Sequence, residues 1–118
     1  MNIRILAIAT AFLLNSTGVG AETVHLPQAI EHTKAAIKHG EAGDAAVLMD
    51  NAAAALAHAK ASEEVEANAH TEEGIVHLKA AIDAGKIGDA DGGTIHAREA
   101  LKQLEMATEP KRDKSAAN

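Results

Sequence analysis

The chain of 118 residues contains no cysteine, no tryptophan and no tyrosine, and phenylalanine occurs only once. Without cysteine, the protein can form no disulfide, no thiol nucleophile and no zinc or iron–sulfur site with thiolate ligands. Acidic residues outnumber basic residues by 17 to 11, so the chain offers nucleic acid neither phosphate neutralisation nor aromatic stacking platforms. These absences exclude cysteine-based sites, argue against nucleic-acid partners, and leave one small domain at most.

The first 21 residues have the pattern of a secretory signal peptide. Arg4 supplies the positive charge, an apolar run covers residues 5–14, and Ala21 ends a stretch of small residues suited to cleavage. The apolar run is shorter than the roughly 20 residues of a membrane-spanning helix. We therefore expect an exported, periplasmic protein that begins at Glu22 and has no membrane segment in its mature form.

Alanine dominates the chain that remains after residue 21. Its 97 residues include 24 Ala and only 16 residues from Leu, Ile, Val and Phe together, and its formal charge is −7 because Arg4 is lost. Alanine is the strongest helix former. The composition therefore predicts helices that pack through small faces around a thin core, and it favours a dependence of stability on a bound ligand.

The mature sequence matches itself at an offset of 45 residues. Residues 25–61 align with residues 70–106, and 14 of the 37 aligned positions are identical. The identities include Ile30 and Ile75, His32 and His77, Gly43 and Gly88, and Asp44 and Asp89. We interpret this pattern as a tandem duplication of one helical hairpin, present first at residues 25–61 and again at residues 70–107.

Glycine and aspartate mark the turn of each predicted hairpin. In the first hairpin, Gly40 is expected to take the left-handed conformation that ends a helix, and residues 40–43 form the turn. Asp44 then caps the second helix. The second hairpin repeats the pattern, with a turn at residues 85–88 followed by Asp89 at the start of the fourth helix.

These elements define the predicted domain organisation. Residues 22–108 form one bundle, in which residues 62–69 connect the two hairpins, and residues 109–118 form a disordered tail. Short connections between consecutive helices favour antiparallel neighbours. The predicted fold is all-α: an up-down-up-down four-helix bundle built from two duplicated helical hairpins.

Aliphatic residues at helical spacing indicate the buried side of the first helix. Leu26, Ile30 and Ile37 lie on one side of it, together with Thr33. Measured from that side, the histidines of the same helix lie roughly 130 degrees around the axis. We therefore expect these histidines on the flank or the surface of the bundle.

The seven histidines recur mainly at intervals of seven residues. Such an interval returns a helical side chain to within roughly 20 degrees of its starting direction, about 10.5 Å further along the axis. Two histidines that far apart on one helix are poorly placed to share an ion, whereas spacings of three or four residues bring side chains together. The histidines are His25, His32, His39, His58, His70, His77 and His96.

One segment has the spacing that chelation within a helix requires. His70, Glu73 and His77 are related by three and four residues, so two imidazoles and one carboxylate share a face. This donor set suits Cu(II), Ni(II) or Zn(II), and the lack of cysteine argues against a Cu(I) site. These three residues form the strongest single metal site that spacing alone predicts.

Sequence patterns of catalysis are missing from the chain. The zinc-protease motif His-Glu-x2-His does not occur, and the Glu-x2-His motif of di-iron bundles occurs once, from Glu22 to His25. Neither a Ser–His–Asp set nor a glycine-rich phosphate loop can be assembled. We therefore predict no catalytic residues and a protein that is not an enzyme.

Four stretches of the chain carry a resemblance to a known family. They are Ala29-Ile30-Glu31-His32, Ala35-Ala36-Ile37-Lys38-His39-Gly40-Glu41, Ala57-His58-Ala59-Lys60-Ala61-Ser62 and Gly74-Ile75-Val76-His77-Leu78. With the export signal and the seven-residue spacing, residues 25–107 resemble the small metal-binding proteins of bacterial periplasms. The resemblance implies a four-helix bundle that binds divalent metals, copper above all, through histidines on seven-residue units. It makes all seven histidines candidate ligands.

The chain departs from that family pattern at five positions. Where family members tend to keep His, it has Asp44, Asn51, Ala84, Asp89 and Gln103. The departures imply a reduced metal capacity. The function indicated is that of an exported, monomeric scavenger or buffer of divalent transition metal, with Cu(II) first and Ni(II) or Zn(II) as further ions. The alternative is a non-catalytic helical interaction or envelope-stress protein whose histidines are not ligands.

Overall fold

The computed structural model describes residues 24–110 as four helices, and no strand occurs within this range. The predicted signal peptide, residues 1–21, lies outside the described residues, as do residues 111–118 of the predicted tail. The helices are α1 (His25–Glu41), α2 (Ala45–Val65), α3 (Ala69–Lys86) and α4 (Ala90–Ala107).

The four helices pack in the order in which they follow along the chain. Helix α1 packs on α2 and α3 on α4 within the two hairpins, and α2 packs on α3 and α1 on α4 between them. This arrangement confirms the predicted all-α bundle of two hairpins. None of the four helices is both long enough and apolar enough to cross a membrane.

The hairpin turns follow the predicted chemistry with one change of position. Asp44 Oδ1 accepts a hydrogen bond from the Val47 amide at 3.1 Å, which confirms it as the cap of α2. The left-handed residue is Gly43, with φ of +81°, and Gly40 stays helical inside α1. The prediction for Gly40 was therefore wrong. A Cβ atom there would collide with Thr94 Oγ1, so its small size serves the close packing of α1 against α4.

The link between the hairpins is shorter than the predicted residues 62–69. Helix α2 continues to Val65, and α3 begins at Ala69. Asn68 explains the sharp junction, because its side chain accepts a hydrogen bond from the His70 amide at 2.9 Å and caps α3. The carboxylate of Glu63 accepts a hydrogen bond from the Asn68 amide at 3.1 Å, which ties the link back to α2.

The core is built mainly from alanine, as the composition predicted. Three leucines, one each from α2, α3 and α4, supply its only large aliphatic side chains that are fully buried within residues 24–110. The buried line of α1 consists of Ala29, Thr33, Ala36 and Gly40. Of the predicted stripe, Thr33 is buried, whereas Leu26, Ile30 and Ile37 are only partly buried. The buried hydrophobic residues are Ala29, Ala36, Leu48, Ala52, Ala55, Ala59, Leu78, Ala81, Ala97, Ala100 and Leu104.

This shift of the buried line changes where the histidines of α1 lie. Measured from the small buried residues, His25, His32 and His39 are roughly 50 to 90 degrees around the helix instead of the expected 130. The expectation was wrong because it took the largest apolar residues as the centre of the interface. In this bundle, the smallest residues mark the closest approach between helices, so the histidines flank the core and face the groove towards the next helix.

Candidate metal centre

All seven histidines are partly buried, and none lies in the core. Helix α1 carries three of them and α2 carries His58 towards its C-terminal end. Because α1 and α2 are antiparallel, the end of α2 that holds His58 lies beside the beginning of α1. The side chains of the two helices therefore meet along their shared groove.

The tightest histidine cluster lies across α1 and α2 and is centred on His58. Its Nδ1 atom is 3.4 Å from Nδ1 of His25, and the two ring centroids are 5.7 Å apart. The ring of His32 also stacks on His58, with a centroid distance of 5.5 Å and an interplanar angle of 7°. His25 and His32 are each neighbours of His58 and belong to successive seven-residue positions of α1. The cluster thus provides two imidazole pairs that share His58.

The separations in this cluster suit two ligands of one ion. Imidazole nitrogens about 2.1 Å from a tetrahedral ion are roughly 3.4 Å apart, which is the distance between the Nδ1 atoms of His25 and His58. A ring centroid is about 3.2 Å from an ion bound through its nitrogen, so two rings on one ion have centroids no more than about 6.4 Å apart. Both pairs at His58 lie within this limit. The stacked rings of His32 and His58 are nearly parallel, so one ring must turn before nitrogens of both can point at one ion.

The surroundings of His58 favour its neutral form. Burial lowers the pKa of His58 below its ordinary value of 6.5, and the charges of His32 and His25 lower it further. A metal ion binds imidazole only in the neutral form, because the proton and the ion compete for the same lone pair. The cluster therefore supplies a central ring that needs no deprotonation at neutral pH.

The second hairpin brings its histidines together differently. Nδ1 of His70 is 3.0 Å from Oε1 of Gln103 on α4, so the ring donates a hydrogen bond to the amide oxygen. One seven-residue step nearer the turn, the rings of His77 and His96 have centroids 6.0 Å apart and are tilted by 30°. Nδ1 of His96 is buried and has no hydrogen-bond partner within residues 24–110.

The predicted set of His70, Glu73 and His77 is not drawn together as a cluster. His70 faces Gln103 and His77 faces His96, both on α4, while Glu73 is exposed on α3. Within residues 24–110, no three His, Asp or Glu side chains surround one point closely enough to hold an ion together. The structure therefore presents pairs between helices, and the role of Glu73 stays a prediction.

Spacings of three and four residues predict ligands within one helix, so they did not predict the histidine pairs between helices. A signal for them was present, because His25 and His58 are separated by 33 residues, as are His70 and Gln103. In each hairpin, a position of the seven-residue series on the first helix faces a position of such a series on the second helix: His25 faces His58, and His70 faces Gln103. His39 is the histidine that stays outside these pairs, since its side chain makes no hydrogen bond or ring contact with the described residues.

The sequence of this chain matches one known protein family over most of its length. The model of a family described as small metal-binding protein matches residues 1–107. The chain belongs to the small metal-binding protein family. No curated protein matches the sequence. Membership supports metal binding in general terms, and imidazole nitrogen is a donor that divalent transition metals accept.

Proposed function

We propose that this member of the small metal-binding protein family is exported and acts as a scavenger or buffer of divalent transition metal. In this proposal the ligands are drawn from the seven histidines, Cu(II) is the preferred ion, and Ni(II) and Zn(II) are bound as well. The protein works as a monomer without catalytic chemistry, and its partners are metal ions and not nucleic acid. The observation that carries the proposal is the cluster of His25, His32 and His58.

The chemistry of the donors supports the choice of metal. Imidazole nitrogen without thiolate suits Cu(II), Ni(II) and Zn(II), and affinity for such donors rises to a maximum at Cu(II). The ligands at His58 are partly exposed, so an ion can enter and leave the groove without unfolding of the bundle. This accessibility fits a buffer, which must release metal as well as bind it.

Calorimetric titration of the tag-free chain from residue 22 to residue 118 tests the proposal. We expect saturable binding of Cu(II) at micromolar or lower concentration, with Ni(II) and Zn(II) weaker. The variant His58→Ala should weaken the tightest binding by more than about tenfold, because it removes the ring that both pairs share. Gln28→Ala is the matched control, because Gln28 is an exposed residue of α1 and should leave the titration unchanged.

Two results would contradict this proposal. Weak, non-saturating heats with all three ions would leave a helical bundle whose histidines are not ligands, and would favour the alternative of an interaction or envelope-stress protein. Saturable binding that His58→Ala leaves unchanged would retain the function but remove the His58 cluster from it. Substitution of Glu73 by Gln tests separately whether its carboxylate joins His70 and His77.

A further inference from the structure

The two hairpins place different residues at equivalent positions of their grooves. The offset of 45 residues carries the pair His25 and His58 onto His70 and Gln103, and both pairs are in contact. At the next position towards the turn, the same offset carries His32 and Asn51 onto His77 and His96. Each hairpin therefore has histidine on both helices at one of these two positions. In the first hairpin it is the position of His25 and His58, and in the second it is the position of His77 and His96.

The open end of a hairpin is the end away from its turn. Gln103 makes the open end of the second hairpin a poor metal site. Its amide oxygen accepts the hydrogen bond of the His70 ring at 3.0 Å, at the position where His58 offers a second imidazole in the first hairpin. An amide oxygen is a much poorer ligand for Cu(II), Ni(II) or Zn(II) than an imidazole nitrogen. The hydrogen bond uses Nδ1 of His70, so an ion there would bind through Nε2 without a second imidazole from Gln103.

The middle of the second hairpin has the complementary features. The ring centroids of His77 and His96 are 6.0 Å apart, within the limit for two rings on one ion. Nδ1 of His96 is buried without a hydrogen-bond partner in the described part of the chain, which costs free energy unless another group satisfies it. In the first hairpin the equivalent residue is Asn51, whose side-chain amide donates to the Val47 carbonyl of its own helix at 3.0 Å.

We propose that the two hairpins bind metal at different levels, the first at its open end through His58 with His25 or His32, and the second near its middle through His77 and His96. The inference rests on the proposed function, because it assigns positions to the same kind of ion. The bound metal is a divalent ion that prefers imidazole. Each ion links the two helices of its own hairpin.

The two positions are independent of one another. They use different helices and share no ligand. The second position lies one seven-residue step, about 10.5 Å along the helix, closer to its turn than the first position does. The chain should therefore take up two ions in two separable steps. Removal of a ligand at one position should leave the affinity of the other unchanged.

Residue-resolved NMR with Zn(II) and calorimetry with Cu(II) test this assignment on the chain of residues 22–118. During the Zn(II) titration, the ring signals of His58, His77 and His96 should shift, and those of His39 should not. The variant His96→Ala should lose one of the two Cu(II) steps, and His58→Ala should lose the other. Glu72→Gln is the matched control in the second hairpin and should keep both steps, because Glu72 is an exposed residue of α3 that belongs to neither proposed position.

A gain of binding provides a test that does not depend on damage to the protein. The variant Gln103→His restores a histidine pair with His70 at the open end of the second hairpin, and we expect it to bind a third Cu(II). Gln103→Ala removes the hydrogen bond to His70 without adding an imidazole, and it should stay at two ions. Far-ultraviolet circular dichroism of each variant confirms that the helices are retained.

The outcomes separate this inference from the proposed function. If the unchanged chain binds none of the three divalent ions, the proposed function fails. If it binds metal but His96→Ala keeps both steps, or Glu72→Gln loses one, metal binding stands and the assignment of the second position is overturned. A Gln103→His variant that stays at two ions would also overturn the role of Gln103.

Discussion

At the scale of single residues, His58 lies at the centre of the histidine cluster of the first hairpin. It contacts both His25 and His32, and it is the ring that both pairs share. Burial lowers the pKa of His58 below its ordinary value, and the charges of His32 and His25 lower it further, so His58 favours its neutral form. The same feature that suits metal binding therefore makes the hairpin sensitive to acid.

We predict that the metal-free protein loses stability as the pH falls below about 6.5. The pKa of His58 is lower in the folded protein than its ordinary value of 6.5, so the unfolded chain binds more protons below that pH. The contribution of His58 to the free energy of unfolding is complete above pH 6.5. It is lost as the pH falls from there through the lower pKa of His58 in the folded protein. Urea unfolding between pH 5 and pH 8 measures it, and His58→Gln should flatten the profile. An equally steep profile in the variant would assign the effect to other groups.

At the scale of the helices, small residues determine how closely neighbours approach. Gly85 of α3 lies against α2, where a Cβ atom would be 2.7 Å from Met49 Cβ and 3.1 Å from the Ala45 carbonyl oxygen. Gly74 of α3 lies against α4, where a Cβ atom would be 2.9 Å from Leu104 Cδ2. The first obstacle is close to the backbone of α2, and the second is the end of a flexible side chain.

Substitution of each glycine by alanine should therefore have different effects. We expect Gly85→Ala to destabilise the bundle by about 1–3 kcal/mol, because α2 and α3 must separate, despite the gain of about 1 kcal/mol in helix propensity. Gly74→Ala should cost less, since the Leu104 side chain can rotate away. Urea unfolding of both variants measures the difference, and an equal or larger loss for Gly74→Ala would contradict this account of the packing.

Helix caps give a second prediction at this scale. Asp89 Oδ1 accepts a hydrogen bond from the Gly92 amide at 2.8 Å, at the beginning of a helix that contains two consecutive glycines. We expect Asp89→Ala to cost about 1 kcal/mol, because it leaves that amide without its side-chain partner. Asp91→Ala is the matched control, because it removes a carboxylate from the same turn but not the cap. Thermal unfolding should show a clearly larger loss for Asp89→Ala.

At the scale of the whole molecule, the thin core leaves room for metal to contribute to stability. Ligands between helices form fully only in the folded bundle, so metal should favour folding. At a free ion concentration 100 times the dissociation constant, one site contributes about 2.7 kcal/mol. We predict that Cu(II) raises the melting temperature and that a chelator reverses the rise. A melting temperature unaffected by saturating metal would contradict the location of the ligands between helices.

Four helices, two hairpin turns and the seven-residue spacing of the histidines could be predicted from the sequence alone, although the left-handed residue of the first turn is Gly43 and not Gly40. These features depend on local rules: alanine favours helix, Asp44 and Asp89 cap it, and the positions of single glycines limit it. Spacing along one helix also predicted a set at Glu73 with His70 and His77, because only contacts within a helix can be derived from a single segment. The side of α1 that is buried could not be derived in that way.

Which histidines come into contact depends on the tertiary structure and could not be predicted from the sequence. The buried line of small residues in α1 turns His25 and His32 towards α2, and the antiparallel packing of the helices sets His58 beside them. The same packing pairs His70 with Gln103 and His77 with His96. Partners that are 19, 26 or 33 residues apart along the chain come into contact through the rotation and register of two helices, and that register depends on the fit of the whole core.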